Sequence, residues 1–206
     1  MNEKFFELPE EKQNQILQAG WRVFSRNSYK KSPVSEIAAE AGISKSLLFH
    51  YFVNKRELYL FLWNRCAEIT MQYLTEFLCY EQEDLFDAMY RGMQAKLRLM
   101  TEHPDMGLFA VKAFYETEEE ICTAIKESYD KYFQVKADKA LSHVDPDRFV
   151  PGLDFRMMYR EMYWASEGYL WEMIQHKELD VKRMEEDFLK LLAFWKSVYL
   201  KKEEKG

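Results

Sequence analysis

The stretch SEIAAEAGISKSLLFHYF (residues 35–52) sets two short helix-forming runs on either side of one glycine, with two acids at its start and several donors after the turn. A tight helix-turn-helix needs a small residue where its helices cross and a glycine four positions on, where the chain turns through the left-handed region. Ala38 and Gly42 meet both demands. With Ile37, Ile43, Leu48 and Phe52 turned inward, Lys45, Ser46, Phe49 and His50 face outward. The exposed side of a two-turn helix is then made of donors and rings, and such a helix end fits the B-DNA major groove, about 12 Å wide. A plain helical hairpin at a domain edge would ask the same of Ala38, Gly42 and the inward residues. The continuation separates the two readings: Asn54 caps a further helix and, with Lys55, sets amide donors and a cation where a DNA phosphate would lie.

Working outward, Pro9, Glu10 and Glu11 open a first helix over about residues 9–26, with Ile16, Gly20, Val23 and Phe24 on one face. Ser32 reads as the N-cap of a second helix, with Pro33 at its first position, running to Ala41. Ser44 caps a third, which ends near Phe52. From Asn54 the apolar spacing of Leu58, Leu62, Ile69, Leu74 and Phe77 predicts one long helix. Further helices are predicted over about 84–100, from Pro104, and over 117–141, 153–177 and 180–202, with EHPD and SHVDPDRFVPG as breaks. The tail KKEEKG is expected to fray.

Seven Gly and five Pro in 206 residues favour helices over a turn-rich β fold. The start MNEKFFELPEEK lacks the basic and apolar stretches of a signal peptide, and no apolar run approaches the roughly 18 residues of a membrane span. A cytoplasmic protein without membrane partners is therefore expected. Three widely spaced cysteines without a C-x-x-C argue against a disulfide framework or a cysteine zinc site. The net charge of −6 hides a polarity, since residues 1–65 carry ten Lys and Arg against seven Asp and Glu. Between Gly20 and Arg56 seven basic residues face only Glu36 and Glu40, an excess that permits a phosphate partner.

Residues 15–60, QILQAGWRVFSRNSYKKSPVSEIAAEAGISKSLLFHYFVNKRELYL, resemble the DNA-binding domain of the tetracycline-repressor (TetR) family. The likeness rests on Ile37, Ala38, Ala41, Gly42, Ile43, Ser44, Phe52, Lys55 and Leu58. It implies that Lys45, Ser46, Leu47, Phe49 and His50 line the groove while Ser32, Tyr51 and Lys55 touch the backbone; with the cap Ser44 these form the expected DNA-binding set. The chain departs from the family pattern at three places. Phe49 stands for a usual tyrosine, so a phosphate hydrogen bond is lost. Leu47 stands for a usual threonine and can pack on a thymine methyl but cannot donate. Ser28 stands for a glycine, which leaves Asn27 or Ser28 to take a left-handed conformation.

The resemblance also implies an all-α protein: a three-helix helix-turn-helix domain (residues 1–54) joined by a long helix to a helical effector-binding and dimerisation domain (residues 55–206). In DFRMMYREMYWASEGYLWEMIQ one apolar stripe runs through Phe155, Met158, Met162, Ala165, Tyr169 and Met173, and a second through Met157, Trp164, Gly168 and Trp171. Two apolar faces need two neighbours. One is the chain's own core and the other a second copy, although a single large core could satisfy both. Met157 and Gly168, with Met184, Phe188, Leu191, Trp195 and Tyr199 of the last helix, are the expected dimer contacts. Met158, Met162, Trp164, Tyr169 and Trp171 are the expected walls of a pocket for a small lipophilic effector, an adaptable surface of Met and aromatic residues.

The four histidines are scattered, and no H-E-x-x-H motif or phosphate-binding glycine loop occurs. Glu172 and His176, one turn apart, read as a surface pair. No enzyme, cofactor or metal is expected. The sequence points to a homodimeric, ligand-responsive regulator of transcription, most simply a repressor on a palindromic operator. The rival reading is an interaction protein that has kept the fold and lost operator binding.

Overall fold

In a computed structural model, residues 3–82, 84–176 and 180–202 are described. Among these the chain is helical, with no β-strand. The helices are α1 (Glu10–Arg26), α2 (Val34–Glu40), α3 (Lys45–Tyr51), α4 (Lys55–Glu76), α5 (Leu85–Glu102), α6 (Pro104–Phe114), α7 (Glu119–Leu141), α8 (Phe155–His176) and α9 (Val181–Tyr199). Two 3-10 turns, Glu3–Phe5 and Pro146–Arg148, were not expected. Most of the tail lies outside the described residues.

The chain divides into two compact units, residues 1–69 with 99–131 and residues 70–98 with 132–206. Helices α4, α5 and α7 each supply residues to both. This partition differs from the division expected from the sequence at residues 54/55.

In the first unit α1 lies against α4 at Gly20. A Cβ at that position would sit 2.6 Å from Leu62 Cδ1, and Leu62 is itself fully buried. Trp21 Nε1 donates to the Leu62 carbonyl at 3.4 Å. Around this crossing Phe24, Tyr59 and Phe109 stack edge to face or tilted, with ring centroids 4.7–6.0 Å apart.

Two expectations about α1 and α2 are corrected. Ser32 is not a cap: its hydroxyl donates to the Ser28 carbonyl at 2.9 Å and is fully buried, while Pro33 holds the N-cap position of α2. Nor does the chain leave α1 through a left-handed residue. Asn27 is extended, and its side-chain amide donates to the Val23 carbonyl at 3.4 Å, occupying one of the helix's last carbonyls. Among the described residues the non-glycine with a positive φ is Leu78, at 54°, where α4 gives way to a turn.

In the second unit, one buried cluster joins Leu74, Cys79 and Ala95, and another joins Leu97, Met173 and Met184. Near the C-terminus Phe149 and Leu200 form a single antiparallel bridge, closed by Val150 N–H to Tyr199 O and Lys201 N–H to Arg148 O.

Candidate nucleic-acid interface and effector unit

The turn between α2 and α3 is built from backbone bonds that glycine makes accessible. Gly42 sits at φ 65°; its N–H reaches Ala39 O and the Ile43 N–H reaches Ala38 O, both at 3.0 Å. That pair is the Schellman closure of a helix. Ser44 Oγ then accepts from Leu47 N–H at 3.1 Å and starts α3. Leu48, Tyr51 and Phe52 point into the unit and are buried.

Behind them stands Phe5, which the sequence reading missed. Its ring centroid lies 5.2 Å from Phe52, 6.1 Å from Tyr51 and 5.3 Å from Phe61. Only a pair of adjacent aromatics, Phe5 and Phe6, ahead of the first helix could have signalled it.

The outward face carries Ser44, Lys45, Ser46, Leu47, Phe49 and His50, all exposed, with Lys45 Nζ 5.7 Å from the centre of the Phe49 ring. The expected set is thus brought together on one face, with three members placed otherwise. Ser32 and Tyr51 are buried, and the Ser32 hydroxyl is spent on the Ser28 carbonyl. Lys55 is half-buried: its Nζ reaches the Lys30 carbonyl at 3.4 Å and lies 4.7 Å from the Tyr29 ring centre, and burial pushes its pKa down.

Asn54 does cap α4, its Oδ1 accepting from Glu57 N–H at 2.8 Å, and the Glu57 carboxylate accepts from Val53 N–H at 2.6 Å. Of the basic residues counted in this region, Arg22 pairs with Asp105 and Glu40, Arg26 with Glu40, and Lys30 with Glu118. Arg56 Nε donates to the Glu120 carbonyl at 2.7 Å. The carboxylate of Glu116 accepts from the backbone N–H of Tyr29 at 2.9 Å and ties the loop after α1 to the loop after α6.

The second unit sorts the residues of α8 and α9. The first α8 stripe faces its core, with Met158, Met162 and Met173 buried and Phe155, Ala165 and Tyr169 partly so. Tyr169 donates its hydroxyl to Asp187 at 2.8 Å, the pair joining α8 to α9. The second stripe faces out: Met157 and Trp164 are 55% and 53% exposed, Gly168 is exposed and Trp171 is half-buried. Trp164 therefore is not a pocket wall.

On α9 the expected contacts Met184, Phe188 and Trp195 are buried within the chain itself, because the 3.6-residue period sends them to the core. They have no surface left to offer a second copy. Leu191 and Tyr199 are half-buried, Tyr199 donating to Glu161 at 3.0 Å, and Phe194 and Val198 are exposed one turn around from the buried row.

Deep in the same unit lies a polar group that the sequence reading did not assemble. Lys136 Nζ donates to the Tyr163 hydroxyl at 3.0 Å, and that hydroxyl in turn is hydrogen-bonded to Glu167. Lys96 forms an ion pair with Glu167 and lies 4.6 Å from the Tyr163 ring centre. Burial, reinforced by Lys96, pushes the Lys136 pKa from 10.5 down to about 8. Burial opposes the charge of Glu167, but Lys96 and Lys136 more than offset it and hold its pKa below the ordinary value. Heptad or turn spacing gives no sign of this group, since its members come from α5, α7 and α8.

Among the described residues no three potential ligands gather into a metal-binding cluster, and no helix is long and apolar enough to cross a membrane.

Comparison with known proteins follows the same division. Residues 16–61 match the family described as bacterial regulatory proteins, tetR family. A curated relative, the HTH-type transcriptional activator FasR of Mycolicibacterium smegmatis, is 29% identical over 107 residues, 52% of this chain and 40% of that protein. The chain's match thus spans two-fifths of that relative's length. Among solved structures, SmeT, the repressor of the Stenotrophomonas maltophilia multidrug efflux pump SmeDEF, superposes with a TM-score of 0.70 at 19% identity, covering 94% of each chain. FadR from Bacillus subtilis, in complex with stearoyl-CoA, superposes with a TM-score of 0.67 at 21% identity, covering 87% of this chain and 96% of that one. At these identities the likeness concerns the fold.

Proposed function

We propose that the chain, whose residues 16–61 match the tetR family, is a transcriptional regulator of that family and works as a homodimeric repressor, released from a palindromic operator by a small lipophilic effector. The observation that carries the reading is α3. Its buried side is locked by Leu48, Tyr51 and Phe52, and its exposed side holds Lys45, Ser46, Leu47, Phe49 and His50. Lys45 supplies charge to a phosphate or a donor pair to a guanine edge, Ser46 and His50 supply hydrogen bonds, and Leu47 and Phe49 supply apolar surface for a thymine methyl. Ser44 and Lys55 border that face. Residues 1–54 form the DNA-binding domain by role, and residues 55–206 the effector and dimerisation domain.

A single seven-residue helix covers few base pairs, so two copies about 34–36 Å apart are needed to read successive half-sites. Met157, Trp164 and Gly168 of α8 with Leu191, Phe194 and Val198 of α9 supply the apolar face for the second copy. Gly168 has no neighbour within 4 Å of its Cβ position, which leaves room for a close helix crossing. Met158, Met162, Tyr169 and Trp171 remain the lipophilic side of the effector site.

Release follows when the effector prefers one of two dimer shapes. The shift then passes along α4, which has residues in both units. A coupling of about 1–3 kcal/mol changes operator affinity about 5–150-fold. A bound dimer represses most simply by occluding the promoter.

A footprint on DNA flanking the chain's own gene, repeated across salt concentrations, tests the proposal. A protected palindrome whose affinity falls steeply with salt is expected. Absence of any specific complex at low salt overturns the reading in favour of an interaction protein. A promoter reporter that loses output when the gene is deleted overturns repression and leaves activation, the role in FasR's name.

A further inference from the structure

The group formed by Lys96, Lys136, Tyr163 and Glu167 holds two cations and one anion. Lys96 is paired with Glu167. Among the described residues, Lys136 has no carboxylate within ion-pair distance; its ammonium meets the Tyr163 hydroxyl and the face of that ring, 5.3 Å from the centre. One positive charge is therefore left over in the interior of the second unit. Burying an uncompensated ammonium is unfavourable, and a structural network would be closed more cheaply by a second acid or by an apolar residue at 136.

The group also keeps contact with the outside. The Lys96 and Glu167 side chains retain 27% and 18% exposure although protein surrounds them, and Lys136 is only half-buried. Solvent therefore reaches the group from one side. The surroundings are apolar and aromatic. Phe133 lies 5.7 Å from Tyr159 and 5.5 Å from Tyr163 between ring centres, Met162 is fully buried beside them on α8, and the Arg160 guanidinium stacks 4.2 Å from the Phe133 ring centre.

We infer that the effector is an amphipathic monoanion, a carboxylate on an apolar chain or ring, whose carboxylate completes the group by accepting from the Lys136 ammonium while Glu167 stays with Lys96. The inference rests on the effector reading above and narrows it. An ammonium with no carboxylate of its own favours an anionic head group over a neutral lipophile.

The test uses the full chain at pH 7 and two matched probe sets. One sets sodium octanoate, decanoate and dodecanoate, below their micelle concentrations, against the alcohols of equal length. The other sets benzoate and naphthoate against the corresponding alcohols. Binding is read by calorimetry and by the rise in Tm.

At least one acid is expected to bind ten-fold or more tightly than its alcohol. Lys136→Met is expected to bring the acid down to the level of the alcohol and leave the alcohol's own affinity unchanged. Equal binding of acid and alcohol, binding of neither set, or unchanged acid binding in Lys136→Met overturns the inference. Should that variant fail to fold, the comparison of acid with alcohol on the natural chain decides alone.

Operator release measured in parallel separates this from the broader reading. An acid that binds through Lys136 but leaves operator affinity unchanged upholds the anion site and sinks effector control. A neutral compound that releases the operator independently of Lys136 does the reverse.

Discussion

Helix α3 and helix α8 handle polar side chains in opposite ways. Of the seven residues of α3, Lys45, Ser46 and His50 are exposed while Leu48 and Tyr51 are buried. The 22 residues of α8 put tryptophan and methionine on the outside and draw Tyr163 and Glu167 in against two lysines. A helix that meets a phosphate-lined groove keeps its donors in water until contact. On the function proposed above, α8 meets a second copy with its exposed apolar side and a small molecule with the side that buries charge. The contrast sets an α3 surface of donors and rings against an α8 surface of apolar side chains.

The largest effect should come from breaking the outer face of α8 and α9. Trp164→Glu combined with Phe194→Glu places carboxylates on side chains that are 53% and 59% exposed. Sedimentation is expected to show a monomer, and operator affinity should fall by roughly 100-fold or more as the second half-site is lost. A dimer that survives both changes would put the interface elsewhere.

Next, Phe5→Ala removes the ring behind α3 and should cost about 3 kcal/mol in denaturant unfolding, within the range for a buried phenylalanine. If stability is unchanged, the N-terminal turn is no part of the support for α3.

Third, Lys136→Met should stabilise the chain by about 1–3 kcal/mol at pH 7. The sign follows from the depressed pKa. Below about pH 8 the ammonium is charged in both the folded and the unfolded chain, and its burial penalty is present in full. Between about 8 and 10.5 the folded chain has released a proton that the unfolded chain still holds, so stability rises with pH. Lys96, Glu167 and Tyr163 face the same ammonium, and burial pushes the Tyr163 hydroxyl above its ordinary value. The natural chain should therefore show a rise across that window that Lys136→Met lacks, as read by unfolding at stepped pH.

The smallest effect belongs to the exposed cation of α3. Lys45→Ala should weaken operator binding by about ten-fold or less. It should also lower the slope of log affinity against log salt by about one unit if Lys45 meets a phosphate.

The helix-turn-helix was legible because its determinants are local. Ala38, Gly42, Ser44 and Asn54 act on backbone groups within five residues of themselves, and each is found where its spacing put it. Ser32 failed as a cap because a competing local bond, to Ser28 O, was open to it once Pro33 took the N-cap. Tyr51 and Phe5 escaped the reading because their burial depends on each other across 46 residues of chain. On α9 the apolar period located the helix but could not divide its residues between two neighbours. Met184, Phe188 and Trp195 went to the core, while Phe194 and Val198, one turn around, stayed out.

The amino-acid sequence by itself determined the helices, the caps at Ser44 and Asn54 and the exposed side of α3, since hydrogen bonds along a helix and at its ends involve near neighbours in the chain. Tertiary structure alone decided which apolar stripe became core and which became surface. It alone also brought Lys96, Lys136 and Glu167 from three helices into one group, because burial and the pairing of charge are properties of packing between elements distant in the chain.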